Sequence, residues 1–195
     1  MIKIKDRFFF ILVSSMALVV ITSNYLVQFP VNYFGLKDLL TYGAFSYPVA
    51  FLITDLANRS YGKGIAKKIV YFGFLLGVFL TFYLSTNYSD LISIRIAIGS
   101  GVAFIVAQTI DINIFYKLRN KIWYTAPLVS SLIGSTIDTF LFFSISFYGT
   151  DINWITLSFG DLSVKILVAF IMLIPFRILL YSIKKNINEK KKVNA

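Results

Sequence analysis

With 57% hydrophobic and 14% charged residues among 195, and a mean hydropathy of +0.76, the chain is far more apolar than a soluble domain, where about a quarter of residues are charged. Its net charge of +10 lies in short basic clusters between apolar runs, with no RNA-binding or helix-turn-helix pattern, which argues against nucleic acid as a partner. With no Cys and no His, thiolate and imidazole metal ligands, Cys nucleophiles and Ser-His-Asp arrangements are excluded.

A spanning helix needs about 20 mostly apolar residues, and six such stretches follow one another. The first, Phe8 to Val27, follows the basic Lys3, Lys5 and Arg7; it is too long for a signal h-region and lacks a small-x-small cleavage site, so it reads as a retained span. The second, Thr41 to Asn58, is the weakest, because it carries Ser46, Pro48, Thr54 and Asp55. Ile69 to Ser85 is the third, with Gly73 and Gly77 four apart, a spacing that lets helices approach closely. The fourth, Ile94 to Tyr116, has Gly99 and Ala103 at the same spacing; the fifth, Ala126 to Tyr148, has Ser131 and Ser135. Leu162 to Ile183 is the sixth, and Pro48 and Pro175 are expected to kink the second and sixth. The longest loop, Gly149 to Asp161, has room for a turn or an interfacial stretch around Trp154, and 184–195 reads as a basic cytoplasmic tail. The expected fold is therefore all-α: a single polytopic membrane domain over 1–195.

Basic residues fix the orientation, since Lys and Arg collect on the cytoplasmic side. Lys3, Lys5, Arg7, Arg59, Lys63, Lys67, Lys68, Lys117, Arg119, Lys121, Lys184, Lys185, Lys190, Lys191 and Lys192 fall on one side, against Lys37, Arg95 and Lys165 on the other. Both ends are thus expected inside.

Three acids lie within spans, Asp55, Asp111 and Asp138, each costing about 2.5 to 3.5 kcal/mol on insertion scales. At ~1.5 Å per residue, Asp138 falls near the midplane, and Asp55, Asp111 and Arg177 within about 10 Å of it on the cytoplasmic side. Gln108 lies one turn from Asp111, and Asn58 and Arg59 one turn from Asp55. Asn24 and Gln28 form a polar pair at the outer end of the first span, and Asp161 and Lys165 are spaced to pair at the outer end of the sixth. Structural ion pairing accounts for some of this: Arg59 and Arg177 can each satisfy a carboxylate. Asp138 has no cation within reach on its own helix, so it is expected to face a ligand, a proton or water.

A carboxylate beside an amide offers two acceptors next to a donor, which matches the N–H groups and carbonyl of a guanine-like edge. Phe45 and Tyr47 are among the aromatic residues able to cover its faces, with Tyr25, Phe51, Phe104 and Phe143. Other small cations or amides would suit such a cavity equally, so residue chemistry alone reaches a polar-solute transporter.

The segments VITSNYLVQFPV (20–31), GAFSYPVAFLITDLANRSYG (43–62), QTIDINIFYKLR (108–119) and APLVSSLIGSTIDTFLFFSISF (126–147) resemble the bacterial queuosine precursor transporter subfamily of the vitamin uptake transporters, as do Asp161, Lys165 and Pro175 in the last span. That resemblance covers nearly the whole chain. It implies a multi-pass inner-membrane importer of 7-deazaguanines, such as 7-cyano-7-deazaguanine, for salvage into tRNA queuosine, with no cofactor. It carries over Asn24, Gln28, Asp55, Gln108, Asp111, Asp138, Asp161 and Lys165 as functional polar positions. The resulting expectation has Asp138, Gln108 and Asp111 reading the ring edge; Asn24, Gln28, Asp161 and Lys165 lining the outer entrance; and Asp55, Asn58, Arg59 and Arg177 forming an inner gate. Self-association stays open.

Two rivals differ in class. A substrate-binding subunit energised by a separate ATPase would dock through an Ala-xxx-Ala surface on its first helix, where this chain has Ala17 alone. An intramembrane enzyme would have to work with oxygen ligands or paired carboxylates, without HExxH or Gly-x-Ser-x-Gly.

Overall fold

The computed structural model describes residues 4–26, 29–33, 40–84 and 91–193. These form seven α-helices, joined by turns and one isolated antiparallel bridge between Pro30 and Thr41. They are α1 (Ile4–Leu26), α2 (Gly43–Ser46), α3 (Pro48–Tyr61), α4 (Lys63–Leu84), α5 (Leu91–Leu118), α6 (Thr125–Phe147) and α7 (Trp154–Val193). Four segments are long and apolar enough to cross a membrane: Arg7–Leu26, Ile94–Leu118, Thr125–Phe147 and Trp154–Ser182. Leu18, Phe72, Leu75, Phe79, Ile98 and Ile174 are exposed on the outside of the bundle, where hydrocarbon rather than water would cover them.

The second apolar stretch is two helices rather than one kinked span. Pro48 has no N–H to donate, so α2 ends and α3 begins with Pro48 as its first residue and Tyr47 at the joint. α3 ends at Gly62, whose φ of +84° suits a residue without Cβ and whose N–H closes onto the Asn58 carbonyl at 2.9 Å. Pro175, in contrast, lies inside an uninterrupted α7. That helix starts at Trp154, so most of the expected loop before the last span is helical. Its 40 residues extend for about 60 Å, twice the thickness of a bilayer core.

Residue-to-residue register gives the helix directions. Gly73 packs on Met16 and Gly77 on Val20, so α1 and α4 run parallel. Thr54 meets Gln108 and Asn58 meets Ile112, so α3 and α5 run parallel to each other. Gly99 meets Ser146 while Gly134 approaches Asp111, which makes α5 and α6 antiparallel. Asp138 meets Lys165 and Thr139 meets Asp161, which makes α6 and α7 antiparallel as well. Phe8 lies against Tyr61 and Ser23 against Ser46, which makes α1 antiparallel to α2–α3, and Tyr71 meets Thr109 while Phe74 meets Phe104, which makes α4 antiparallel to α5; with α2–α3 counted as one segment, the directions alternate along the chain.

The glycine pair of α4 makes a close helix contact with α1. A Cβ on Gly77 would sit 2.8 Å from Val20 Cβ and 3.1 Å from the Ala17 carbonyl oxygen, so α1 would have to move bodily. We expect Gly77→Val to destabilise the protein by about 1–3 kcal/mol, read as a lower melting temperature in detergent, and Val20→Ala to recover part of the loss. Equal melting of the Gly77→Val and wild-type proteins would contradict this packing.

Candidate functional site

Buried polar side chains gather in two layers between α3, α5, α6 and α7. On α3 the residues Tyr47, Phe51 and Asp55 succeed one another by a turn on one face, so they sit about 6 Å apart in depth. Tyr47 belongs to the outer layer and Asp55 to the inner one. Phe51, 2% exposed, fills the space between them against Gly134, where a Cβ would come within 2.6 Å of its ring.

The outer layer is a closed ion-pair cluster. Lys165 Nζ donates to Asp161 Oδ2 at 2.7 Å, Asp138 Oδ2 at 2.9 Å and Thr139 Oγ1 at 3.0 Å, while Thr139 donates to Asp161 at 2.8 Å. The ammonium lies 5.4 Å from the Tyr47 ring centre, a cation-π contact. Tyr47 in turn shares a 3.4 Å hydrogen bond with Ser100, which donates to Asn24 at 3.5 Å. The i,i+4 pairing of Asp161 and Lys165 is as expected. The reading of Asp138 as a carboxylate without a cation is overturned: considering only its own helix missed a lysine delivered by α7. Asp161 and Lys165 are accordingly not separate from Asp138, but one unit with it.

The inner layer is different in kind, because it is incompletely satisfied. Asp55 accepts from Ser130 at 3.4 Å and Ser131 at 3.5 Å, both long. Gln108 Oε1 accepts a short hydrogen bond from Thr54, but Gln108 Nε2 has no partner among the described residues. Neither oxygen of Asp111 has one either, although Ser130 lies beside it. Both side chains are essentially inaccessible, at 1% and 0% exposure. Asn58 donates to the Ile112 carbonyl at 2.8 Å, leaving its own oxygen unpaired. Orphaned buried polar atoms are uncommon in folded proteins, and those of Asn58, Gln108 and Asp111 lie within about one turn of each other, whereas the orphaned Ser146 hydroxyl lies toward the other end of α6, against Gly99.

At the inner end, two arginines brace α3 against α5. Arg59 donates to the Arg119 carbonyl, and Arg119 to the Arg59 carbonyl at 3.3 Å. Their guanidinium groups lie over Phe115 and Tyr116, each 5.5 Å from the ring centre. The expected pairing of Arg59 with Asp55 is absent, since the carbonyls at the end of α5 hold the guanidinium instead. Arg177 likewise pairs with no carboxylate among the described residues; it is exposed and stacks on Trp123 at 4.8 Å. Phe45 is 45% exposed and borders a shallow surface depression with Leu26, Tyr42 and Ser46, away from both layers. Gln28 lies outside the described residues.

Several participants escaped the sequence reading: Thr54, Ser100, Ser130 and Thr139. A signal existed for some of them, because Ser131, Ser135, Asp138 and Thr139 recur at helical spacing on one face of a span. That stripe links the two layers.

The family model described as "Putative vitamin uptake transporter" matches residues 41–180. A curated "Queuosine precursor transporter" of Escherichia coli (strain K12) is 31% identical over 91% of this chain and 89% of its own length. The "Probable queuosine precursor transporter" of Haemophilus influenzae is 32% identical over 80% of this chain and 79% of its own, and that of Bacillus subtilis is 29% identical over 86% and 80%. No solved structure matches the chain. The match spans both polar layers, from Tyr47 through Lys165, and the chain belongs to the vitamin uptake transporter family.

Proposed function

We propose that this protein imports queuosine precursors, 7-deazaguanines such as 7-cyano-7-deazaguanine, across a bacterial inner membrane, through a polar site between its helices. The observation that carries the reading is the pair of unsatisfied groups on α5: the Asp111 carboxylate with two free acceptors, and the Gln108 amide with a free donor one turn away. A guanine-type edge supplies the complement, two N–H groups for the carboxylate and a carbonyl for the amide. The relatives' names, queuosine precursor transporter, point to the same solute class.

Recognition of the ring edge thus narrows from Asp138, Gln108 and Asp111 to Gln108 and Asp111, since Asp138 is already engaged with Lys165. Asn24, Tyr47, Asp138, Asp161 and Lys165 form the outer closure, Phe51 separates it from the binding level, and Arg59 with Arg119 closes the inner end. The cavity beside Asp55 has room for about one water, so entry of a purine-sized solute requires α3, α6 and α7 to part. The docking-subunit alternative gains nothing here, because Ala17 is buried under α4 rather than presented outward.

In this reading the chain crosses six times with both ends inside, which the alternating helix directions and the clustering of basic residues on alternate connections support. The chain's lack of cysteine makes the test clean. An impermeant maleimide added to intact cells should label Asp151→Cys directly and Asn120→Cys after permeabilisation alone; the reverse pattern overturns the orientation. Transport itself is tested in cells unable to make deazaguanines, where expression of the protein should restore queuosine in tRNA when the precursor is supplied. Failure to restore it, with the protein present in the membrane, rejects the proposed substrate.

A further inference from the structure

Below Phe51, the junction of α3, α6 and α7 encloses a small cavity with space for about one water-sized particle. Its polar lining consists of Asp55, Ser131 and Ser135; residues such as Pro48, Phe51, Met172 and Phe176 make the rest apolar. Ser135 is 1% exposed and its hydroxyl has no partner among the described residues. A helical serine in an apolar setting ordinarily turns back onto the carbonyl one turn earlier, as Ser158 and Ser163 do in α7 at 2.7 Å. Ser135 does not, and so leaves its oxygen available to the cavity. Asp55, 2% exposed, has two oxygens held by nothing closer than the 3.4 and 3.5 Å serine contacts, and the one cation on its helix, Arg59, is committed to the Arg119 carbonyl.

We infer that this cavity is a binding site for a small monovalent cation of sodium size, held by the Asp55 carboxylate and the Ser131 and Ser135 hydroxyls, and that it couples cation entry to solute uptake. Every polar ligand is oxygen, which selects a hard cation over a soft one. Calcium takes six to eight oxygen ligands and magnesium keeps several waters, and a space this narrow accommodates neither. A bound cation would also reach the solute site. Ser130, which donates to Asp55 at 3.4 Å, lies one turn before Gly134, where a Cβ would sit 3.4 Å from Asp111, so the two carboxylates face the same stretch of α6 and like charges there repel. Neutralising Asp55 relieves that repulsion and frees Asp111 to serve the solute, and by linkage the solute then tightens the cation.

The coupling rests on the transport reading, and two measurements separate them. Purified protein is melted across a series of NaCl concentrations, with choline chloride holding ionic strength constant; uptake of 7-cyano-7-deazaguanine is then measured in proteoliposomes with an inward gradient of either salt. Wild type should gain melting temperature saturably with sodium and take up solute faster with the sodium gradient. Ser135→Ala, a mild change, should raise the half-saturating sodium concentration about tenfold, as expected for losing one ligand worth about 1.4 kcal/mol. Asp55→Asn should abolish the response. Equal melting and equal, active uptake in both salts overturns the cation site and leaves the transport reading intact; so does uptake that follows a pH gradient but ignores sodium. A saturable sodium shift without uptake in any salt keeps the cation site and rejects the solute.

Discussion

Replacing Asp111 by Asn is expected to cut uptake by about 100-fold or more while raising thermal stability. The carboxylate lies at 0% exposure with both oxygens unpaired, so in the resting protein it is a cost without a return. The amide removes that charge and should make the protein melt higher in detergent. During transport the balance reverses. One of two acceptors becomes a donor facing a donor on the solute, and losing the charged partner of a buried hydrogen-bonded pair costs about 2–5 kcal/mol, or roughly 30- to several thousand-fold in affinity. Gln108→Leu, which removes a neutral donor, should cost about tenfold. Precursor-dependent queuosine formation at matched membrane expression reads both. An Asp111→Asn protein that transports normally would show that the ring edge is read elsewhere, and one that loses both stability and transport would make Asp111 a packing element. Opposite movements of stability and function are the signature of a polar group kept for a ligand.

Lys165→Met should have the largest effect on stability. Lys165 is 4% exposed, its ammonium lies within 3.0 Å of three oxygens, and among the described residues it is the one cation bonded to Asp138 and Asp161. Its removal leaves two carboxylates facing each other in the bundle interior, a change of about 3–5 kcal/mol, equivalent to a fall of roughly 10 °C in melting temperature for a chain of this size. Restoring neutrality should restore stability: adding Asp138→Asn and Asp161→Asn to Lys165→Met is expected to recover most of the loss. Lys165→Arg should not be benign, because a planar guanidinium cannot direct its donors at the same three oxygens from this position. If Lys165→Met melts like the wild type, the outer cluster does not hold α6 to α7.

The apolar stretches for α1, α5, α6 and α7 could be read from composition and length, because hydrocarbon thickness imposes both. Asp55, Asp111 and Asp138 also stood out as acids within apolar stretches, and all three are buried in the bundle. The partner of each acid could not be read in this way. Depth says how far along the normal a group lies, not where it points around the helix axis, and so it could not show that Lys165 crosses from α7 to Asp138 while Arg177 turns out to Trp123. The break at Tyr47 was half visible: Pro48 announced a lost hydrogen bond, but a kink and a new first turn remove the same bond.

What the sequence determined by itself is the apolar surroundings its long helices require, the alternation of basic and non-basic connections, and which polar residues must be explained. These follow from one-dimensional properties, hydropathy and charge summed along the chain. Only the tertiary structure decided which of those polar residues satisfy one another and which are left wanting. Satisfaction depends on the azimuth and register of neighbouring helices, and it assigned Asp138 to a closed ion pair and left polar atoms of Asp111 and Gln108 without a partner among the described residues.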